Sequence, residues 1–410
     1  MALVVLPEAG MRGDESNTVT DWSCDRVRTF RRRVYSYVSD REWNSWRWQI
    51  RNRITTLSQL EKILCCADQE RSVLLGKGKR LPFSITPYYA ALLDPHDPAH
   101  ALRRTVIPVA DENLQSEGES EDPLNEDEDS PIVGLVHRYP DRVLFLVTDF
   151  CSTYCRYCTR SRMVGNRNGQ KFTKERWSRV IEYIEGKREI RDVLLSGGDP
   201  LTLSDEKLEW LLLRLRRIPH VEVLRVGTKV PVVLPQRITP NLTRMLKRYH
   251  PLWMSIHFTH PDELTHEVKC ACARLADAGI PLQSQTVLLS GVNDSVEIMR
   301  RLVHGLVMMR VRPYYLYQCD PIIGSAHFRT PIYKGLEIMK GLRGYTSGFA
   351  VPLYVIDAPG GGGKVPIMPD SLVGREGKTL AIKNYEDRIF HYYDPCEAVN
   401  TEIMINCTVQ

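Results

Sequence analysis

Cys151, Cys155 and Cys158 stand within eight residues of one another. Thiolates at such short spacing can converge on one iron–sulfur cluster. Zinc is the alternative, but a structural zinc site takes four ligands, and no fourth Cys or His lies nearby in a paired spacing. Three protein ligands on a four-iron cluster would leave one iron open to a small molecule. A second constellation is Gly360-Gly-Gly-Gly363-Lys364. It is not a phosphate loop, because Ala358 sits six positions before Lys364 and Val365 follows it. A lysine set by a glycine-rich loop can form a Schiff base with a carbonyl cofactor, most often pyridoxal phosphate. By itself the segment reads more simply as a surface loop with a solvated lysine.

The surrounding chain must position these groups. The cysteines follow directly on an apolar run at 143–148, and further strand-like runs lie at 192–195, 221–226, 253–257, 282–288 and 313–317. Helix-like stretches lie between or after them, at 174–186, 205–217, 239–249, 261–278, 295–311 and 332–343. Strands alternating with helices imply parallel strands and crossover connections, an α/β sheet or barrel. Functional groups then belong at the C-terminal ends of the strands. Ser196-Gly-Gly-Asp199 stands at one such end, His257 at another, and Gln285 lies on a later strand.

The chain has 410 residues, 43% hydrophobic and 26% charged, with a net charge of +5. This is globular composition, and the small surplus does not argue for a nucleic-acid or membrane partner. No apolar run approaches the roughly 18 residues of a membrane span. The opening seven residues are too short and lack the basic start of a signal peptide, so a cytoplasmic protein is expected. Its 11 cysteines are then free thiols rather than a disulfide framework, and those outside the trio read as ordinary buried small residues. Nine arginines at 26–53, interleaved with Trp43, Trp46 and Trp48, read as a helical segment whose tryptophans pack on the main domain. A nucleic-acid surface is the less favoured reading. The ten carboxylates at 111–130, with no basic residue among them, read as a solvated connection. The expected organisation is a helical region at 1–110, an acidic connection at 111–131, a barrel at 132–375 and a tail at 376–410.

The C-x3-C-x2-C spacing, with Tyr157 before the last Cys, is the signature of radical S-adenosylmethionine enzymes. With the glycine-set lysine, the chain resembles the lysine 2,3-aminomutase family over roughly residues 43–395, through Thr86-Pro-Tyr-Tyr89, His327-Phe-Arg-Thr-Pro331 and the segments 46–54, 134–142 and 234–240. The resemblance implies an incomplete parallel (β/α)6 barrel with a helical N-terminal segment and a C-terminal tail. It implies a 4Fe-4S cluster on Cys151, Cys155 and Cys158, with S-adenosylmethionine met by Ser196, Gly197, Gly198, Asp199, His257 and Gln285. It further implies that Lys364 carries pyridoxal phosphate, that Arg138 and Arg142 meet its phosphate, and that Tyr317 lies near its ring. Arg160 matches the clamp on the substrate carboxylate, and Asp320 and Asp357 match the pair that receives a side-chain cation. The implied reaction moves the α-amino group of a cationic L-amino acid to the β-carbon, with an electron donor as partner and a homo-oligomer as assembly. L-Lysine is favoured, L-arginine is the alternative, and modification of a translation-factor lysine is the second alternative.

Three features depart from the family pattern. Ser295 stands where a zinc-binding Cys is usual, and the tail offers only Cys396 and Cys407, so an intersubunit zinc is not expected. Lys229 replaces a common arginine, and 321–326, after the first substrate carboxylate, differ from the usual sequence.

Overall fold

In a computed structural model of the chain, residues 25–76, 81–165 and 172–394 are described. Twelve strands are numbered here in chain order: β1 (Leu135–Tyr139), β2 (Arg142–Thr148), β3 (Asp192–Gly197), β4 (Val223–Thr228), β5 (Leu252–His257), β6 (Leu282–Leu288), β7 (Val311–Gln318), β8 (Leu353–Ala358), β9 (Gly363–Pro366), β10 (Leu372–Glu376), β11 (Thr379–Lys383) and β12 (Ile389–Tyr393). β1 to β9 form one sheet in sequential order, and β10 to β12 form a separate antiparallel sheet. Strands β2 to β8 pair in parallel throughout, while β1 and β9 join antiparallel at the two ends. The six expected strands are present as β2 to β7, and the parallel sheet continues one strand further with β8. The barrel is incomplete because β1 and β9 do not pair with each other. The backbone N–H of Lys364 donates to the Tyr139 hydroxyl across that opening, at 2.9 Å.

The helices that cover the sheet are those the sequence marks: Lys174–Glu185, Asp205–Arg216, Pro240–Leu246, His266–Asp277, Val296–Met308 and Ile332–Leu342. Thr173, Ser204, Thr239, Thr265 and Ser295 cap five of them with a side-chain oxygen, which satisfies backbone donors otherwise left open at a helix start. The apolar faces of these helices bury Leu208, Leu212, Val268, Leu275, Leu302 and Leu306 against Val193, Leu195, Leu224, Val226 and Met254. Alternation along each strand then turns the other residues inward. Leu194 and Ser196, Arg225 and Gly227, and Gln285 and Val287 face one central cavity. A bulge in β7, where Gln285 pairs with Tyr315 and Tyr314 is skipped, brings both tyrosines to the cavity wall, their hydroxyls 2.9 Å apart.

The N-terminal segment packs as expected. Trp43 is buried, Trp46 and Trp48 lie against the core, and Arg237 stacks on Trp46 at 4.7 Å. Two expectations need correction. The acidic stretch is not a solvated connection but a folded strap over the barrel mouth, with Glu119 and Glu126 buried. β10 runs from 372 to 376, across the expected boundary at 375. Among the other cysteines Cys66, Cys272 and Cys319 are buried, Cys65 is exposed and Cys270 half-buried, while Cys24, Cys396 and Cys407 lie outside the described residues.

Candidate active site

The central cavity has a volume of about 340 Å³. Of the expected site residues it gathers Arg138, Arg142, Arg160, Ser196, His257, Gln285, Tyr317, Asp320, Asp357 and Lys364. Lys364 and Asp357 meet because the glycine loop folds β8 and β9 into a hairpin that pairs them directly. Gly360, Gly361 and Gly363 take φ values of 68°, 89° and 78°, a region that side chains disfavour. The Lys364 ammonium lies 2.8 and 3.1 Å from the two Asp357 oxygens and 5.1 Å from the centre of the Tyr317 ring. Asp320, just past β7, accepts from the Thr159 hydroxyl at 2.7 Å. Burial, with Asp357 nearby, pushes its carboxyl up to about 6. Arg142 stacks on Tyr139 at 3.9 Å.

His257 and Gln285 are register partners on β5 and β6. Burial, with Lys229 and Arg160 adding positive charge, lowers the His257 imidazole to about 3, so it is neutral at physiological pH. Gly197, Gly198 and Asp199 sit beside the cavity rather than on its wall. A Cβ on Gly197 would lie 2.3 Å from the Thr148 carbonyl, and one on Gly198 would lie 2.5 Å from that of Phe150. These glycines let the end of β3 press against the strand leading into the cysteine loop. The Asp199 carboxylate accepts from Thr228 Oγ1 and from the backbone N–H groups of Leu201, Lys229 and Val230, which ties β3 to β4.

The cysteine loop leaves β2 at the cavity mouth, and Thr159 and Arg160 carry it onto the cavity wall. Cys151 and Cys158 pack against Leu81, Tyr154 and Val164, and Cys155 against Tyr157, Leu289 and Phe328. All three are free thiols, and burial raises each above its ordinary value. Arg53 holds the loop by donating to the Cys151 carbonyl at 3.1 Å and stacking on Phe150 at 4.4 Å.

Comparison with known proteins decides what this site belongs to. Residues 145–303 match the radical SAM superfamily model, and 339–408 match a model described as lysine-2,3-aminomutase. The L-lysine 2,3-aminomutase of Clostridium subterminale is 51% identical over 92% of this chain and 89% of its own. The chain belongs to the lysine 2,3-aminomutase family.

As a member of that family the protein is an isomerase of the aminomutase type, working with a 4Fe-4S cluster and S-adenosylmethionine. The L-lysine 2,3-aminomutase of Fusobacterium nucleatum is 52% identical over 89% of this chain and 86% of its own. The glutamate 2,3-aminomutase of Clostridioides difficile is 42% identical over 87% and 84%. The three half-buried thiols, none of them in a disulfide, fit a cluster. Lys364, which lines the cavity together with Tyr317, Arg138 and Arg142, fits an aldehyde cofactor bearing a phosphate.

Several residues of this aminomutase site escape sequence reading. Glu126, from the acidic strap, takes both Nε and Nη2 of Arg160, at 3.1 and 2.5 Å. Its signal was available in charge: the strap's carboxylates complement Arg156, Arg160 and Arg162 of the cysteine loop. Asp192 and Arg225, 2.8 Å apart, form a pair on the cavity wall that no motif announced. Lys229 is buried against Glu263 at 2.8 Å and Thr259 at 3.0 Å, a satisfied cation. The stretch 321–326 contributes no residue to the cavity wall. It holds the strap instead, through Ser120 to the backbone of Pro321 and Ile323. Ser295 caps its helix, accepting from Ile298 N–H at 3.1 Å.

Proposed function

We propose that the enzyme moves the α-amino group of L-lysine to the β-carbon, with Lys364 carrying pyridoxal phosphate and Cys151, Cys155 and Cys158 holding the cluster. The observation that carries this reading is that one cavity is lined at once by Lys364, Arg138, Arg142, Arg160, Asp320 and Asp357, with the cysteine loop feeding into its wall. Bound there, the cluster and S-adenosylmethionine supply a hydrogen-abstracting radical, and pyridoxal phosphate supplies the carbonyl on which the nitrogen migrates. Arg138 and Arg142 suit a phosphate dianion, since guanidinium forks match its oxygens. Arg160 binds the α-carboxylate, and Tyr317 flanks the cofactor ring. Ser196, His257 and Gln285, with Gly197, Gly198 and Asp199 behind them, serve S-adenosylmethionine. A neutral His257 can hydrogen-bond there without adding charge.

Asp320 and Asp357 bind the substrate's side-chain ammonium. While the Lys364 amine is free it neutralises Asp357, and once that amine is engaged elsewhere Asp357 can take a second cation. Two carboxylates repel an acidic side chain, which agrees with the higher identity to the lysine-named relatives than to the glutamate-named one. Lysine and arginine both fit the charge of the pair, and the stretch 321–326, which lies off the cavity wall, does not reshape the pocket end for the longer guanidinium. A reducing electron donor supplies the electron, and the chain assembles with copies of itself.

The test is anaerobic incubation of reconstituted protein with S-adenosylmethionine, pyridoxal phosphate and a reductant, with L-lysine, L-arginine and L-glutamate in parallel. β-Lysine is the expected product. A β-amino acid from arginine alone would replace the substrate. Reductive S-adenosylmethionine cleavage with no β-amino acid from any of the three would overturn the reading.

A further inference from the structure

Four arginines around the barrel mouth share one feature: each is held by a carboxylate of the strap. Arg156 pairs with Glu112, Arg160 with Glu126, Arg162 with Asp122 and Asp127, and Arg138 with Asp129. The strap is itself tied down along its length. Ser120 bridges to Pro321 and Ile323, Gly360 N–H donates to the Pro123 carbonyl, and His137 N–H donates to that of Asp129. Ser130 Oγ donates to the Glu126 carbonyl at 2.6 Å. A segment fixed at so many points is a rigid wall, not a flap.

Two of these pairs face the cavity. Glu126 is 5% exposed and takes the Nε edge of Arg160 bidentately. Asp129 accepts from Arg138 Nε at 2.6 Å, and the Leu124 carbonyl accepts from Arg138 Nη2. In both arginines Nη1 makes no hydrogen bond among the described residues, and both guanidinium groups line the cavity. A guanidinium held on one edge is immobilised with its remaining donors aimed in a fixed direction, so less freedom is lost when an anion binds.

We propose that Glu126 and Asp129 are positioning residues with separate clients. Glu126 orients Arg160 for the carboxylate of the amino acid, and Asp129 orients Arg138 for the phosphate of the cofactor. The inference rests on the ligand assignments of the proposed function and extends them to the strap. Because the two carboxylates lie three residues apart on one rigid segment, general loosening of the strap would weaken both ligands together. Distinct positioning roles weaken one each.

The experiment measures pyridoxal phosphate affinity by absorbance titration of the cofactor-free protein, and L-lysine affinity by calorimetry on the cofactor-loaded protein. Glu126→Ala should weaken lysine about tenfold, the scale of one lost charge-assisted hydrogen bond, and leave cofactor affinity within about twofold. Asp129→Ala should show the reverse. In turnover, Glu126→Ala should raise KM with little change in kcat at saturating cofactor. Glu126→Gln and Asp129→Asn keep the volume of the strap and serve if an alanine variant fails to fold; they should show the same crossed pattern at smaller amplitude. Arg160→Lys and Arg138→Lys are the controls. If the arginine variants split as assigned while the strap variants weaken both ligands equally, or neither, the positioning roles are overturned and the site reading stands. If the arginine variants themselves do not split, the site reading falls and this inference with it.

Discussion

Asp320 illustrates how a group proposed to bind the substrate cation can be held against its own preference. Its carboxyl, raised to about 6 by burial, compares with an ordinary value near 3.9. Between about pH 4 and 6 the folded chain therefore keeps a proton that the unfolded chain has released, and stability falls as pH rises through that window. Above it the ionised group costs on the order of 2–3 kcal/mol, a cost that a bound cation offsets. Asp320→Asn should accordingly raise the melting temperature of the ligand-free protein by a few degrees at pH 8 and leave it unchanged below pH 4, as calorimetry can check. The same substitution, and Asp357→Asn, should raise KM for lysine roughly ten- to a hundredfold, from the loss of a charge-assisted hydrogen bond. A shortened neutral analogue should be far less affected. In the unaltered enzyme KM for lysine should climb as pH drops through about 6. Lys364→Ala should abolish the borohydride-trapped cofactor label on its peptide, and label on another lysine would reassign the role.

Strand ends and their glycines set the distance between the cysteine loop and the cavity. Gly197, at φ 116°, and Gly198 let β3 touch the backbone of Thr148 and Phe150. The first methyl group added there must push the backbone apart, because a carbonyl oxygen cannot yield as a flexible side chain can. Gly198→Ala should displace the cysteine loop and lower the iron retained after anaerobic reconstitution by at least half, measured by metal analysis, with far-ultraviolet circular dichroism unchanged. Cys155→Ala should remove reductive S-adenosylmethionine cleavage outright. Iron content and cleavage equal to those of the parent in either variant would separate that loop from the cluster.

The three-stranded sheet of β10 to β12 has little of the chain's own core beneath it. Leu372, Val373, Ile382, Ile389, Phe390, Tyr392 and Tyr393 are all exposed, a concentration of apolar surface that marks an interaction site more often than a free face. A second copy of the chain is the expected cover. Sedimentation should give a mass well above 47.1 kDa, and Phe390→Ser with Tyr392→Ser should shift the protein toward that monomer mass. No helix among the described residues is long and apolar enough to cross a membrane.

Local chemistry made much of this protein legible before any fold was known. Cysteine spacing, a lysine behind glycines and the alternation of apolar strands with capped helices are written in neighbouring residues, because a loop, a cap or a strand is specified over a few positions. The six strands and the helices between them follow from that alone. β8 is the strand that the sequence expectation omits, although its run, Leu353–Ala358, is rich in β-branched and aromatic residues. What neighbouring residues could not carry is which distant charges meet. The strap reads as solvated because ten carboxylates in one stretch repel one another and attract water. Folding sets beside them the arginines of the cysteine loop and of β1, and opposite charges brought out of water bind far more strongly than they could along an extended chain. Glu126 on Arg160, Asp129 on Arg138 and the turning of 321–326 toward the strap are consequences of closing the barrel, since each joins segments whose proximity exists only once the sheet has curved round.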